Sequence, residues 1–327
     1  MRPMFTRRAV LAGSAISFMP SAWSAALAQG GKQFRVGMLI GNGANSLIEA
    51  FRSELRRLGY REGENLFLDV RDYLPDQARR HAADLLKADL DVVVAASLPQ
   101  ALLLRELDSN LKMVVATAPG LVSNGFAKSL ERPGGNVTGM DELPPGLTGT
   151  RLRLLKSAVP TISRVALLST TPGTGGHEVQ VADAQAVAPE LQLDLKVYRA
   201  TTPPELFAAL SAINADGMEG FVNFQGGLSL AHRERIVAFA QEHKLPAMYQ
   251  SQFFVRAGGL MCYAPDQEEQ YRQAARYVDC ILKGANPGHL PILRPDRYYL
   301  TVNRTAAAAI GLDLPPAFLS RAEYVVG

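Results

Sequence analysis

The chain has 327 residues, room for two domains of ordinary size, and is 47% hydrophobic and 20% charged. Its 34 Lys and Arg against 31 Asp and Glu give a net charge of +3. No basic tract or like-charge run points to nucleic acid or to a membrane surface.

The first segment carries an address. Arg2, Arg7 and Arg8 precede an uncharged run over residues 9–28 that ends Ala26-Leu27-Ala28 before Gln29. Gly13, Ser14, Ser17 and Pro20 break the run, so it reads as a secretory signal peptide cleaved after Ala28 rather than a membrane span. Thr6-Arg7-Arg8-Ala9-Val10-Leu11 also fits a twin-arginine signal, which leaves Sec and Tat export both open. A periplasmic protein is expected, away from any supply of nucleotide or NADH, with acids and bases in balance once the segment is removed.

The rest alternates short β-rich runs with amphipathic helices. Residues 34–40 read as a strand, and Ser46-Leu47-Ile48-Glu49 as a capping box opening a helix with Phe51, Leu55 and Leu58 on one face. Residues 66–70 form the next strand, Asp76 opens a helix, and residues 91–96 are a continuous apolar strand of the kind buried on both faces of a parallel sheet. Ser97 begins a further helix and residues 111–117 a further strand. The pattern then restarts: Arg35-Val36 matches Arg164-Val165, and at the same offset Val92-Val93 falls on Phe221-Val222. A helix is expected over residues 179–191, a strand over 193–198, and a capping box at Thr202-Pro203-Pro204-Glu205. The Gly/Pro-rich stretch from Pro133 to Gly146 marks a hinge. Beyond the second unit come a strand over residues 257–263, a helix opened by Asp266, and a strand near residues 298–302.

Two βαβαβ units predict an α/β fold: two doubly wound parallel-sheet lobes, with the strand-end loops on one rim of each lobe. Lobe 1 is expected over residues 33–145 with about 264–285, and lobe 2 over 146–263 with about 286–327.

Familiar catalytic patterns do not appear. None of His81, His177, His232, His243 and His289 has metal-ligand spacing, and they read as surface residues of helices and loops. Gly41-Asn42-Gly43 lacks the third glycine of a dinucleotide loop, and residues 171–176 lack the Gly-Lys-Ser/Thr of a P-loop. Backbone N–H groups at these two helix starts are candidates for holding a carboxylate. Cys262 and Cys280 can pair in an oxidising compartment, but nothing in the sequence brings them together. No cofactor or metal is expected.

The chain resembles the ABC-transporter substrate-binding proteins of the group that includes tryptophan- and tyrosine-binding members. The likeness spans nearly all of the chain after the signal and rests on several stretches taken together. They are Leu58-Gly59-Tyr60-Arg61-Glu62-Gly63-Glu64-Asn65-Leu66, residues 129–139 through Pro133-Gly134-Gly135-Asn136-Val137-Thr138-Gly139, Arg151-Leu152 through Val159-Pro160, residues 243–249, 257–266 and 277–285. It implies a type I periplasmic-binding fold with the two lobes joined by a multi-crossing hinge, a small ligand held between lobes that close on it, and a transient inner-membrane ABC permease as partner. The protein is expected to be monomeric, with no enzymatic activity.

By matching motif, the cleft is expected to be lined by Gly41, Asn42, Ser97, Leu98, Thr117 and Ala118 from lobe 1. Lobe 2 supplies Thr170, Thr171, Gly175, Phe224 and Gln225, with Tyr249 and Tyr263 to stack on a ring. The sequence departs from the family at Leu98, where Thr is common, and at Ala118-Pro119, where Asp-Pro is common. It also lacks the family's Asn near Thr170 and its Asp near Gly226. With those polar groups absent, an ammonium would be buried without a partner, so the expected ligand is an aromatic or other carboxylate rather than an ordinary amino acid. The rival readings are a sensory module presenting ligand to a receptor and a periplasmic enzyme on the same scaffold.

Overall fold

The computed structural model describes residues 33–41, 44–74, 77–224 and 226–327. The signal-peptide reading of residues 1–28, and the site candidates Asn42 and Gln225, lie outside them.

Lobe 1 begins with β1 (Phe34–Ile40), α1 (Asn45–Arg57), β2 (Leu66–Asp72), α2 (Ala78–Leu86), β3 (Val92–Ala95), α3 (Leu98–Leu107), β4 (Met113–Ala118) and β5 (Val137–Asp141). Its strands pair in the order β2-β1-β3-β4-β5, all parallel. Lobe 2 continues with α4 (Leu147–Ala158), β6 (Arg164–Ser169), α5 (Gly175–Val187), β7 (Asp194–Arg199), α6 (Pro203–Ala215), β8 (Gly220–Phe224), α7 (Gly227–Ala231), α8 (Arg233–Glu242), β9 (Ala247–Tyr249), α9 (Gln252–Arg256) and β10 (Met261–Ala264). The chain returns to lobe 1 as α10 (Gln267–Leu282). It ends in lobe 2 with β11 (Tyr299–Asn303), α11 (Arg304–Ala309), α12 (Pro316–Leu319) and β12 (Tyr324–Val326). The second sheet runs β12-β11-β10-β9-β8-β6-β7, with β10 and β11 antiparallel.

The repeat read from sequence is present, displaced by one residue: β1 pairs Val36 with Val92, whereas β6 pairs Val165 with Gly220 and Ala166 with Phe221. The lobes are not equal halves, because β11 and β12 extend only the second sheet. Among the helix starts, Thr202 accepts from the Glu205 N–H as expected and Asp266 accepts from Glu268 and Glu269. The Ser46 capping box does not form: α1 starts at Asn45, which puts Ser46 inside the helix, and Glu49 reaches forward to Arg56 instead.

Each sheet is covered on both faces. In lobe 1, Phe51 and Leu55 of α1 meet Tyr271, Ala274, Val278 and Ile281 of α10 over β1, β3 and β4. Residues 286–293, expected in lobe 2, in fact belong to lobe 1. Gly134 donates to the Gly288 carbonyl, Ile292 to Leu130, and Asp141 and Leu293 bond across β5. The reason is close packing: a Cβ on Gly288 would lie 2.3 Å from the Gly135 oxygen, so only glycine lets this segment sit against the Gly134-Gly135 turn. Gly139 is similarly required, with φ +146 and the Val115 oxygen 2.1 Å from where a Cβ would stand. Three stretches therefore cross between the lobes among the described residues: 142–146, 265–266 and 294–298. Cys262 and Cys280 are free, one in β10 of lobe 2 and the other on α10 of lobe 1.

Charge ties α10 to α1. Buried Glu54 accepts hydrogen bonds from Arg57 and, at 2.7 Å, from Arg276 of α10. The Arg57 bond, with Arg276 behind it, holds its carboxyl at about 2 against an ordinary 4.5. Because the folded-state pKa is depressed, this stabilisation is present above pH 4.5 and is lost as pH falls toward 2. Both guanidinium groups stay partly in water, so Glu54→Gln should cost about 1–2 kcal/mol at neutral pH. The melting-temperature gap to wild type should close on acidification; a gap unchanged at pH 2 would contradict this account.

Candidate functional site

Parallel pairing places the strand-end loops of both lobes on facing rims, and in this structure the rims touch. The Gly175 N–H at the start of α5 donates to Asn124 Oδ1 of lobe 1 at 3.0 Å. A Cβ on Gly175 would lie 2.3 Å from the Ser123 oxygen, and one on Gly176 would lie 2.4 Å from the Pro119 oxygen. Gly227 faces the Tyr73 ring and Pro99. These contacts define a closed relation of the lobes. The α5 N–H suggested by the sequence for a carboxylate is thus engaged by Asn124.

The expected lining residues fall into three groups. Gly41, Ser97, Thr171 and Gly175 sit on the rims and remain partly accessible. Leu98, Thr117, Ala118 and Thr170 are buried just beneath. The Thr117 hydroxyl is committed to the Ala96 carbonyl at 2.9 Å, and Ser97 stands at the start of α3 with its hydroxyl donating to Gln100 Oε1 rather than capping a backbone N–H. Phe224 and Tyr249 are core residues. Phe224 is fully buried with its ring edge-on to His177. The Tyr249 ring, expected to face a ligand, stacks on Phe254 at 4.7 Å and meets Phe221 edge-on. Tyr263 is half-buried beside Tyr298, ring centroids 5.7 Å apart. His177, read as a surface residue, is fully buried and hydrogen-bonded to Ser169 at 2.7 Å; burial pushes its pKa down, favouring the neutral ring.

Several polar groups in and under the rims lack partners. Both amide atoms of fully buried Asn223 make no hydrogen bond, nor do the Thr170 hydroxyl and the Tyr249 phenol. Asn223 and Tyr249 each follow the paired residues Val222 and Met248 on neighbouring strands. Leaving a buried carboxamide unpaired costs about 1–3 kcal/mol.

The hinge end of the cleft carries charge that the sequence reading missed. Glu142 directly follows β5; its N–H bonds to the Ala118 carbonyl and its own carbonyl accepts from the Tyr298 hydroxyl. Its carboxylate has no ion-pair partner among the described residues, and burial pushes its pKa up to about 7, with Gln270 and Arg151 opposing. Arg151 of α4 is buried, donates to the Tyr263 carbonyl at 3.0 Å, and has its own pKa lowered to about 10 by burial. The loops aligned with family polar residues do not include Glu142. The available signal was an acidic residue one position past the Val137-Thr138-Gly139 hinge strand.

Among the described residues no cluster of three or more His, Cys, Asp and Glu is placed to hold a metal. No described helix is long and apolar enough to cross a membrane. A groove of about 520 Å³ lies between the start of α1, α9, the start of α10 and strands β11 and β12. None of the expected lining residues borders it.

Two parallel-sheet α/β lobes, three crossings and facing rims define a type I periplasmic-binding fold with its site between the lobes. The sequence model for ABC transporter substrate binding proteins matches residues 37–326, and the chain belongs to that family, the substrate-binding components that work with ABC permeases. It is 22% identical over 268 residues to a tyrosine-binding protein of Clostridioides difficile, covering 81% of this chain and 76% of that one. It superposes with a TM-score of 0.82 on an ABC domain in complex with L-Trp from Streptococcus pneumoniae, at 21% identity, covering 90% of this chain and all of that one. Against a ligand-free, open substrate-binding protein with adhesive properties from Clostridium difficile the TM-score is 0.62, at the same identity, covering 90% of this chain and 99% of that one.

Gly176 gives a direct test of closure, because the nearest atoms to its missing Cβ all belong to Pro119 of the other lobe. Gly176→Val should leave the unfolding free energy within about 0.5 kcal/mol of wild type. It should also enlarge the radius of gyration in small-angle scattering by holding the lobes apart. Scattering identical to wild type would show that the two rims do not meet in solution.

Proposed function

We propose that this chain is the periplasmic solute-binding component of an ABC importer, exported by its N-terminal signal and acting as a monomer. It captures one small molecule between its lobes, closes on it, and releases it unaltered to an inner-membrane permease. The observation that carries this reading is the closure itself: two rims from separate sheets touch through Gly175, Gly176 and Gly227, above buried polar side chains that no protein group satisfies. A ligand bound by both rims has differential affinity for the closed form, which is all that a population shift requires. Among the described residues Ser169 and His177 stand at hydrogen-bond distance, 2.7 Å, but both are fully buried beneath the rim, so binding is the function proposed and no chemical step is assigned.

The ligand is read as a small molecule with an aromatic portion. The half-buried Tyr263 and Tyr298 rings offer flat apolar faces beside polar groups. The tyrosine- and L-Trp-binding relatives support the same class.

The test is recovery of the natural occupant. Mass spectrometry of compounds released on denaturing the purified full chain should show one dominant small molecule. Returned to dialysed protein at a hundredfold excess over its Kd, that molecule should stabilise the fold by about 2.7 kcal/mol and reduce the radius of gyration. Its mass should be unchanged after prolonged incubation; conversion to a product would replace this reading with an enzymatic one.

A further inference from the structure

The loop over residues 119–126, between β4 and β5, is built as a hook. Asp141 accepts the Gly120 and Leu121 N–H groups, each at 3.1 Å, and the Asn124 and Phe126 N–H groups turn back onto the Gly120 and Leu121 carbonyls. Arg105, in the last turn of α3, lies over the buried Phe126 ring at 3.9 Å. It donates to the Asn124 and Gly125 carbonyls at 3.1 and 3.2 Å. The Asn124 side chain is held from within the same lobe: its Nδ2 donates to the Gly120 carbonyl at 2.7 Å and to the Pro119 carbonyl at 3.2 Å. Its Oδ1 is left to the other lobe, where it accepts the Gly175 N–H at 3.0 Å.

On the far side, Gly175 is the first residue of α5. A helix start leaves its first N–H groups without acceptors inside the helix. Thr174 Oγ1 serves the His177 N–H at 3.2 Å, but the Gly175 N–H finds its acceptor across the cleft. Asn124 is therefore a helix cap supplied by the opposite lobe. Opening returns this N–H and the amide oxygen to water, whereas the bonds of Nδ2 and of Arg105 stay within lobe 1. Closure does not have to freeze the Asn124 side chain, so little rotamer entropy opposes the contact. The amide oxygen also meets the positive end of the helix dipole. We propose that Asn124 is the latch of the closed form and that Arg105, whose bonds all lie within lobe 1, is a positioning residue acting through it. The proposal rests on closure being the working motion of the cleft, and it names the residues that set how long the lobes stay shut.

Close packing surrounds the bond. A Cβ on Gly120 would lie 3.3 Å from the Gly176 Cα, and one on Gly175 would lie 2.3 Å from the Ser123 oxygen. Bare backbone on both sides lets the hook reach the helix start. The latch is also separate from the grip on a solute, because it joins protein to protein. It favours the closed form whatever small molecule lies between the lobes. Weakening it should speed release while leaving capture by the open form unaltered, the usual division when a contact belongs to the final complex.

The experiment reads amide hydrogen exchange at Gly175 by NMR in the dialysed full chain, with the Leu121 amide as a reference inside lobe 1. Loss of a helix cap predicts that Asn124→Ala raises Gly175 exchange about fivefold and leaves Leu121 unchanged. Arg105→Met is expected to raise it by a smaller factor, and the double variant to match Asn124→Ala, because the two residues act as one. In a Gly176→Val background, which parts the rims, Asn124→Ala is expected to change nothing. Equal Gly175 exchange in wild type and Asn124→Ala, or an equal effect of Asn124→Ala in both backgrounds, overturns the latch. An Arg105→Met effect undiminished in the Asn124→Ala background overturns the positioning role. Asn124→Ala decides the latch even where the Arg105 variant folds poorly. The small molecules released from a denatured portion of wild type are then added back. They are expected to slow Gly175 exchange in both proteins and, on dilution, to leave Asn124→Ala about fivefold faster; equal loss overturns the latch. Unslowed exchange in wild type overturns the solute reading instead, and the variants in dialysed protein still decide the latch.

Discussion

Parallel strand pairing is the constraint on which the rest depends. In lobe 1 every strand from β1 to β5 runs the same way, and in lobe 2 the same holds from β6 to β10. Helical crossovers then put every strand-end loop of a lobe on a single edge. Two such lobes joined near those edges must present loop to loop. The cleft follows from this geometry before any particular side chain is considered, and the glycines at 175, 176 and 227 are what let the opposing loops come into contact.

The join has its own physics. The chain leaves lobe 1 after β5, returns as α10, and leaves again after residue 293. The return is secured by burial along Tyr271, Ala274, Val278 and Ile281, by Glu54 with Arg276, and by Tyr60 bonded to Asp279 at 2.9 Å. Lobe 1 is therefore a rigid body containing a distant part of the sequence. Motion is left to three short crossings, the form of construction in which lobes turn about a few backbone positions. Glu142, Arg151, Gln270 and Tyr298 gather at this place because the crossings bring the ends of β5, α4, α10 and the last connection together.

Polar burial divides satisfied groups from unsatisfied ones. Asp141 is buried yet accepts backbone N–H groups from Gly120, Leu121 and Leu143, so it is a satisfied structural residue. Its neighbour Glu142 has no such set of backbone N–H donors, and burial pushes its pKa up to about 7 against the opposing effects of Gln270 and Arg151. The same contrast separates Thr117, bonded to Ala96, from Thr170 and Asn223, which have no partner. Adjacent residues of similar chemistry thus differ in what they leave available to a ligand.

The strand and helix periodicity and the offset that equates Val36 with Val165 were legible in the sequence; of the Gly/Pro-rich stretch read as a hinge, the part through Asp141 packs within lobe 1 and only residues 142–146 cross. Each depends on local backbone preference or on apolar spacing, which the order of residues states directly. Thr202 and Asp266 act as the helix caps their neighbours imply, for the same local reason. The tertiary structure alone decided that Tyr249 stacks on Phe254, that His177 is buried against Ser169, and that residues 286–293 lie on Gly134 and Gly135. It alone brought Glu142 to Gln270, far apart in the chain. These are outcomes of packing between distant segments, and desolvation or the lack of a hydrogen-bond partner is a property of the surroundings, which no residue carries in its own identity.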